Sequence, residues 1–293
     1  MSQPAPVECT ADVDGIPMSA LFSEAPAPRA TIVAIHGGAT TSAYFDCPEH
    51  PELSLLRLGA ALGFSVIALD RPGFGDSAPH ADEMADAQRR TELAYGAVDN
   101  ILGTRDRGAG LFLVAHSAGC ELALRMVTDD RGAQLLGLEL AGTGVRNQLA
   151  AREVLRRTNI GDMRRGVREL IWQTAHLYPP DVMQNLARGS WSPAYEGDVV
   201  MNWQKRDFPA LAAQVAVPVR FSLADHEAFW EAGPEGLADV AAMFTASPRV
   251  VVNEQPDSGH NLSLALSADS YHRGILSFVD ECVTARQIGS EAS

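Results

Sequence analysis

The stretch Leu111-Phe112-Leu113-Val114-Ala115-His116-Ser117-Ala118-Gly119-Cys120 constrains the fold more than any other part of the chain. Leu111 to Ala115 are apolar without alternation, the pattern of a strand buried on both faces of a parallel sheet. After Ser117 the period becomes helical, with Ala118, Leu122 and Met126 on one stripe. A strand that passes into a helix across one residue holds that residue in a strained conformation, which demands small neighbours. Ala115, Ala118 and Gly119 supply them. Taken alone, the run also reads as a serine capping a helix, a place serine favours. The rest of the chain has to decide.

Seven further segments read as strands. Residues 7–13 and 16–22 flank Asp14-Gly15, a strong hairpin signal. Residues 31–35 and 65–69 are short apolar runs bounded by turn residues, and 135–140, 217–225 and 249–253 read as the remaining strands. Helical spacing is predicted over 53–62, ended by Gly63, over 82–102, followed by Gly103, and over 262–283. Strand and helix alternate as far as Gly144, which means βαβ units and a parallel sheet. From residue 145 to 216 the rhythm breaks. No buried strand is predicted there, only arginine-rich helical patches at 151–157 and 163–175, punctuated by Tyr178-Pro179-Pro180 and Ser192-Pro193. A chain of 293 residues with 46% hydrophobic content suits one large α/β domain carrying an inserted piece.

Composition excludes several classes. A net charge of −14 argues against a nucleic-acid partner, because a phosphate backbone needs a basic face. No run of apolar residues is long enough to span a bilayer, so no membrane partner is expected. The first thirty residues hold acids and prolines in place of a basic and then apolar leader, which predicts a cytoplasmic protein. Cys9, Cys47, Cys120 and Cys282 are dispersed with no C-x-x-C, suggesting neither a zinc site nor a disulfide framework. The sequence carries no signal for oligomeric state.

The serine run has the form of a nucleophile elbow, G-x-S-x-G, with Ala115 in place of the first glycine. The second apolar strand ends in His36-Gly37-Gly38, and the next leads into Asp70-Arg71-Pro72-Gly73-Phe74-Gly75-Asp76-Ser77. Gly259-His260 opens the closing helix. With these motifs in this order the chain resembles the α/β-hydrolase superfamily over about 220 residues of core. The resemblance implies a mostly parallel eight-stranded sheet flanked by helices, with a helical lid inserted after the sixth strand. The core would be residues 1–144 and 217–293, and the lid 145–216.

It also implies a site. Ser117 would be the nucleophile, His260 the base and Asp225 the acid, in the order serine, acid, histidine. Glu227 competes for the acid role, and Glu139, inside its strand, is a weaker rival. Ser222 departs from a glycine usual before the acid. The backbone N–H groups of Gly38 and Ala118 would form the oxyanion hole, with His36 a core residue. Gly37, His116 and the four tryptophans, Trp172, Trp191, Trp203 and Trp230, are the candidate substrate-binding residues, the rings favouring an apolar acyl or alcohol portion. Packing of the lid on the core is the plainer role for any single ring.

Such a triad needs no metal or organic cofactor. The resulting expectation is a serine esterase or thioesterase acting on a small to medium apolar substrate, with a setting in secondary metabolism. The same residues fit a lyase that eliminates acetate from an O-acetylated polyketide-type intermediate such as a tetronate. A non-catalytic ligand-binding protein of this fold is the remaining reading. A fold does not fix a reaction, and an intact triad does not separate the first two.

Overall fold

Eight strands pair into one sheet whose centre is closed to solvent on both faces. The computed structural model describes residues 4–182 and 192–291. The strands are β1 (Val7–Val13), β2 (Ile16–Ser23), β3 (Thr31–Ile35), β4 (Ser65–Leu69), β5 (Leu111–His116), β6 (Gly137–Ala141), β7 (Val219–Ala224) and β8 (Val250–Gln255). Their order is β1-β2-β4-β3-β5-β6-β7-β8. The β1–β2 and β2–β4 pairs are antiparallel, and every pair from β4–β3 to β7–β8 is parallel. Every residue of β3, β4, β6 and β7 is buried, which is why β3 and β4 read as nearly unbroken apolar runs without a period of two, while β6 and β7 also bury Glu139, Arg220 and Ser222. Asp14 and Gly15, both with positive φ, make the two-residue turn that brings Val13 opposite Ile16.

Helices cover both faces. α1 (Leu55–Ala61) and the long last helix, α9 (Ala268–Glu291), pack together on one side. α2 (Ala87–Leu102), α3 (Gly119–Thr128) and α8 (Gly233–Ala241) lie on the other. Between β6 and β7 the chain leaves the sheet and forms α4 (Leu149–Leu155), α5 (Ile160–Ile171), α6 (Tyr195–Asn202) and α7 (Phe208–Ala212), with a π-helical turn Trp203–Asp207 before the last.

Some boundaries differ from those predicted. The sixth strand begins at Gly137, because Leu135 and Leu136 are buried in the connection that precedes it. The second helix begins at Ala87, not residue 82, because the Asp86 side chain caps it by accepting from the Gln88 N–H. The closing helix begins at Ala268, after a separate turn Leu262–Leu264, and runs on to Glu291. α8 was not foreseen, although Gly233-Pro234 places a proline in its first turn, where proline starts helices well.

Candidate active site

The strand-to-helix turn at Ser117 is as tight as its neighbours suggest. Ser117 has φ +51°, a left-handed conformation that a side chain with a Cβ adopts only under constraint. Its N–H donates to the Ala141 carbonyl (2.8 Å), and α3 starts two residues on. Gly119 is indispensable to the packing, because a Cβ there would stand 2.4 Å from the His36 carbonyl oxygen and 2.7 Å from that of Ile35. Both are backbone atoms of the neighbouring strand and its exit loop. Gly119→Ala is therefore expected to cost about 3 kcal/mol. In a chain of this size thermal unfolding should show it as a fall in Tm of about 5–10 °C. The first position of the motif is more forgiving. Ala115 is fully buried within β5, with its methyl accommodated in the core on the α2 and α3 side.

Ser117 Oγ lies 3.1 Å from His260 Nε2. On the far side of the ring, His260 Nδ1 meets the Glu227 carboxylate at 3.0 and 3.1 Å. The carboxylate against the ring is thus that of Glu227, not that of Asp225 as expected. Asp225 sits at the end of β7 as expected, but it is exposed, and its two oxygens accept the N–H groups of Asp257 (2.9 Å) and Ser258 (3.0 Å). It braces the loop that carries His260 and does not touch the imidazole. Glu227 stands two residues further into the turn, buried, with one more methylene of reach, and also accepts the Phe229 N–H at 2.9 Å. Glu139, the other rival, is fully buried against Arg220 Nη1 (2.9 Å) and the Tyr271 hydroxyl (3.0 Å) on the α9 side. Ser222, in the glycine position, accepts from Arg220 Nη1 at 2.9 Å and completes that cluster.

His116, a candidate for substrate contact, borders the cavity but uses its ring elsewhere. Its Nε2–H donates to the His260 carbonyl (2.9 Å), and the ring stacks on Tyr44 at 4.5 Å. Burial holds its pKa well below the usual histidine range, so it is a neutral brace for the His260 backbone. Gly37 allows the close approach that this needs, since a Cβ there would stand 2.9 Å from His116 Nδ1 and 3.1 Å from Ser117 Cβ.

The turn after β3 brings Gly38 beside Ala118, whose methyl would lie 3.7 Å from a Cβ at Gly38. Among the described residues neither the Gly38 nor the Ala118 N–H has an acceptor. His36 is buried, as expected of a core residue. Its Nε2 accepts the Arg71 N–H (3.0 Å), which fixes the tautomer, and its Nδ1–H donates to the Gly37 carbonyl (2.8 Å).

Ser117, Ala118, Gly37, Gly38 and His260 open onto a cavity of about 750 Å³. Trp172, Trp203 and Trp230 line it, whereas Trp191 lies outside the described residues. Each of the three also has a packing role. Trp172 meets Tyr178 edge-on, Trp203 stacks on Phe208 and donates to Thr143 Oγ1 (2.7 Å), and Trp230 donates to the Gly142 carbonyl (3.0 Å). α5 turns Ile160, Met163, Val167 and Ile171 to the cavity as one apolar helical stripe, with Arg164, Arg165 and Arg168 also along its lining. This stripe was not read from the sequence, where the arginines of the segment obscured it.

The segment between β6 and β7 is fastened to each loop of the site. Gln148 N–H donates to the Phe229 carbonyl (3.0 Å), and its side-chain amide donates to the Glu227 carbonyl. Asn261 Nδ2 donates to the Ile171 carbonyl (2.9 Å), and its N–H donates to the Tyr178 hydroxyl (3.2 Å). The Tyr195 hydroxyl donates to the Pro72 carbonyl (3.0 Å). Among the described residues no group of three His, Cys, Asp or Glu is placed to hold a metal ion, the four cysteines are unpaired, and no helix is long and apolar enough to cross a membrane.

A family model described as the alpha/beta hydrolase family matches residues 32–271. Solved structures similar to this one include a highly thermostable carboxyl esterase from Bacillus coagulans, 18% identical, with 96% of this chain and 99% of that one covered at a TM-score of 0.70. A thioesterase domain from the curacin biosynthetic pathway is 18% identical, with 93% and 100% covered at 0.61. An epoxide hydrolase from Vigna radiata is 16% identical, with 94% and 99% covered at 0.64. No curated protein matches the sequence. Likeness at these identities is a likeness of fold, and the activities named are different ones.

Proposed function

The chain belongs to the α/β-hydrolase family, and from that premise we propose that it is a serine hydrolase cleaving a carboxylic ester or thioester of a small to medium apolar substrate. The observation that carries this reading is the unbroken contact chain from Ser117 Oγ to His260 Nε2 and from His260 Nδ1 to Glu227, at 3.1 and 3.0 Å, opening on an apolar cavity. In this reading His260 takes the Ser117 proton as Oγ attacks the substrate carbonyl, and Glu227 holds the imidazole with its proton on Nδ1 and stabilises the imidazolium. The carbonyl oxygen, now negative, meets the N–H groups of Gly38 and Ala118. A donor of this kind contributes roughly 3 kcal/mol to the transition state. His260 returns the proton to the departing alcohol or thiol. Water, deprotonated by the same ring, then releases the acid and restores Ser117.

The cavity is of a size that encloses a small to medium ligand, and the α5 stripe with Trp172, Trp203 and Trp230 favours an apolar acyl or alcohol portion. Residues 145–216 serve as the lid over a core of 1–144 and 217–293. They supply cavity wall and are tied to the loops bearing Glu227 and His260.

The test is mass spectrometry of the intact protein after brief exposure to an alkyl fluorophosphonate, alongside turnover of p-nitrophenyl esters, with Ser117→Ala as control. Ser117 Oγ would bond to phosphorus as fluoride leaves, its proton passing to His260. An adduct that depends on Ser117, together with ester turnover, is the expected result. An adduct without turnover of any simple ester would keep the nucleophile and shift the reaction to elimination or to a narrower substrate. No adduct would overturn the reading in favour of ligand binding alone.

A further inference from the structure

Building on the assignment of Ser117 as nucleophile, we propose that the buried Arg71–Glu196 ion pair is a positioning element for the oxyanion hole, through which the helical insertion sets the Gly37–Gly38 peptide. The C=O of Gly37 and the N–H of Gly38 belong to one planar trans peptide and so point in opposite directions. The carbonyl is held from two sides. His36 Nδ1–H donates to it at 2.8 Å and Arg71 Nη2 at 2.8 Å. With the carbonyl pinned into the core by a neutral and a cationic donor, the Gly38 N–H is left aimed the other way, toward Ser117 and the cavity. A charged donor on the carbonyl also polarises the amide and strengthens the N–H as a donor in turn.

Arg71 is in turn held from the insertion. The same Nη2 donates to Glu196, in the first turn of α6, and both side chains are buried. Next to it, Tyr195 anchors that turn to the Pro72 carbonyl, and the Arg90 guanidinium lies 4.2 Å above its ring. Pro193 approaches the same segment, 3.0 Å from where a Cβ on Gly73 would stand. The start of α6 is therefore docked on residues 71–73, directly behind the oxyanion loop.

Glu196 also reaches the site itself. One carboxylate oxygen would lie 3.3 Å from a Cβ on Gly38, and the residue lines the cavity. An unpaired carboxylate there would oppose a negative oxygen on the substrate, and Arg71 neutralises it. The pair thus acts twice, once through the Gly37 carbonyl and once by cancelling a charge beside the oxyanion.

The test reads the rate constant and the binding constant of fluorophosphonate labelling at Ser117 separately, because the labelling step needs the hole and the initial binding does not. The variant is Arg71→Met with Glu196→Gln, which removes both buried charges and leaves neither unpaired. A tenfold or greater fall in the maximal labelling rate is expected, with the binding constant changed by less than about twofold, since losing a donor outright costs about 10²–10³. If that variant does not fold, Arg71→Lys, which keeps the charge but lacks the bridging guanidinium, carries the same expectation. A wild-type labelling rate in the folded variant, or a loss confined to the binding constant, overturns the proposal alone. Failure of the wild-type protein to label overturns the Ser117 assignment and the proposal with it.

Discussion

Glu227→Gln is expected to lower kcat for ester turnover by about 10⁴-fold, whereas Asp225→Asn should lower it by less than about tenfold. The first figure follows from what the acid does in a triad. A glutamine can present its N–H₂ to the ring, which selects the wrong imidazole tautomer and leaves the imidazolium without a counter-charge. Asp225, by contrast, accepts two backbone N–H groups from Asp257 and Ser258, and an asparagine oxygen can still accept one of them. Its loss loosens the His260 loop without removing a catalytic charge. Ser117→Ala and His260→Ala should each cost about 10⁶-fold, and the pair together no more than either, because the residues act as a unit. Steady-state kinetics on the best p-nitrophenyl ester checks the whole series. A 10⁴-fold loss in Asp225→Asn with an active Glu227→Gln would return the acid role to Asp225.

Stability is expected to fall steeply as pH drops below 6.5. His36, His116 and His272 are buried, and burial depresses the pKa of each, that of His272 from 6.5 to about 3. A depressed folded-state pKa means that the unfolded chain takes up protons first. The stabilisation is complete above 6.5 and drains away as pH falls toward the folded value. For His272 alone, with its folded value of about 3, about 1 kcal/mol is lost between pH 6.5 and 5.5 and a similar amount over the next unit, and His36 and His116 add to the loss in the same direction. Asp70 and Glu139 work in the opposite sense. Burial raises both, so the folded state keeps their protons longer and recovers some stability at the acid end. Denaturant titrations at half-unit steps of pH would measure the slope. His272 has neither ring nitrogen hydrogen-bonded among the described residues, so His272→Leu should remove one of the three protons from the slope while leaving the site intact. A slope unchanged in that variant would sink the account.

The centre of the fold was legible because burial on both faces favours apolar residues along the whole of a strand. β3, β4 and β5 show this directly. Ser117 and His260 were legible because each sits in a local pattern that a small residue has to accompany, Gly119 for one and Gly259 for the other. A Cβ at Gly259 would stand 2.3 Å from the Tyr178 hydroxyl. The carboxylate beside His260 was harder. Asp225 and Glu227 are two carboxylates in one turn, and which of them reaches the ring depends on the backbone path and on one methylene, neither of which a spacing rule records. Leu135 and Leu136 misled the start of β6 for a related reason, since an apolar pair is buried as readily in a connection as in a strand. The α5 stripe was masked by composition. Its apolar positions alternate with arginines, and Arg164, Arg165 and Arg168 border the same cavity.

The ties that run from the insertion to all three loops of the site bear on how far this protein can be re-engineered. Exchanging residues 145–216 for the equivalent piece of another family member would not swap one hat for another. The donor segment would arrive without Gln148 for the Glu227 carbonyl, without the Ile171 carbonyl and Tyr178 hydroxyl for Asn261, and without Tyr195 for Pro72. A chimaera of that kind would keep every reacting side chain and lose the scaffolding that aims them. Altering selectivity here is better sought one residue at a time along the α5 stripe, starting with Ile160 and Met163, which line the cavity, whereas Val167 and Ile171 also pack against the core.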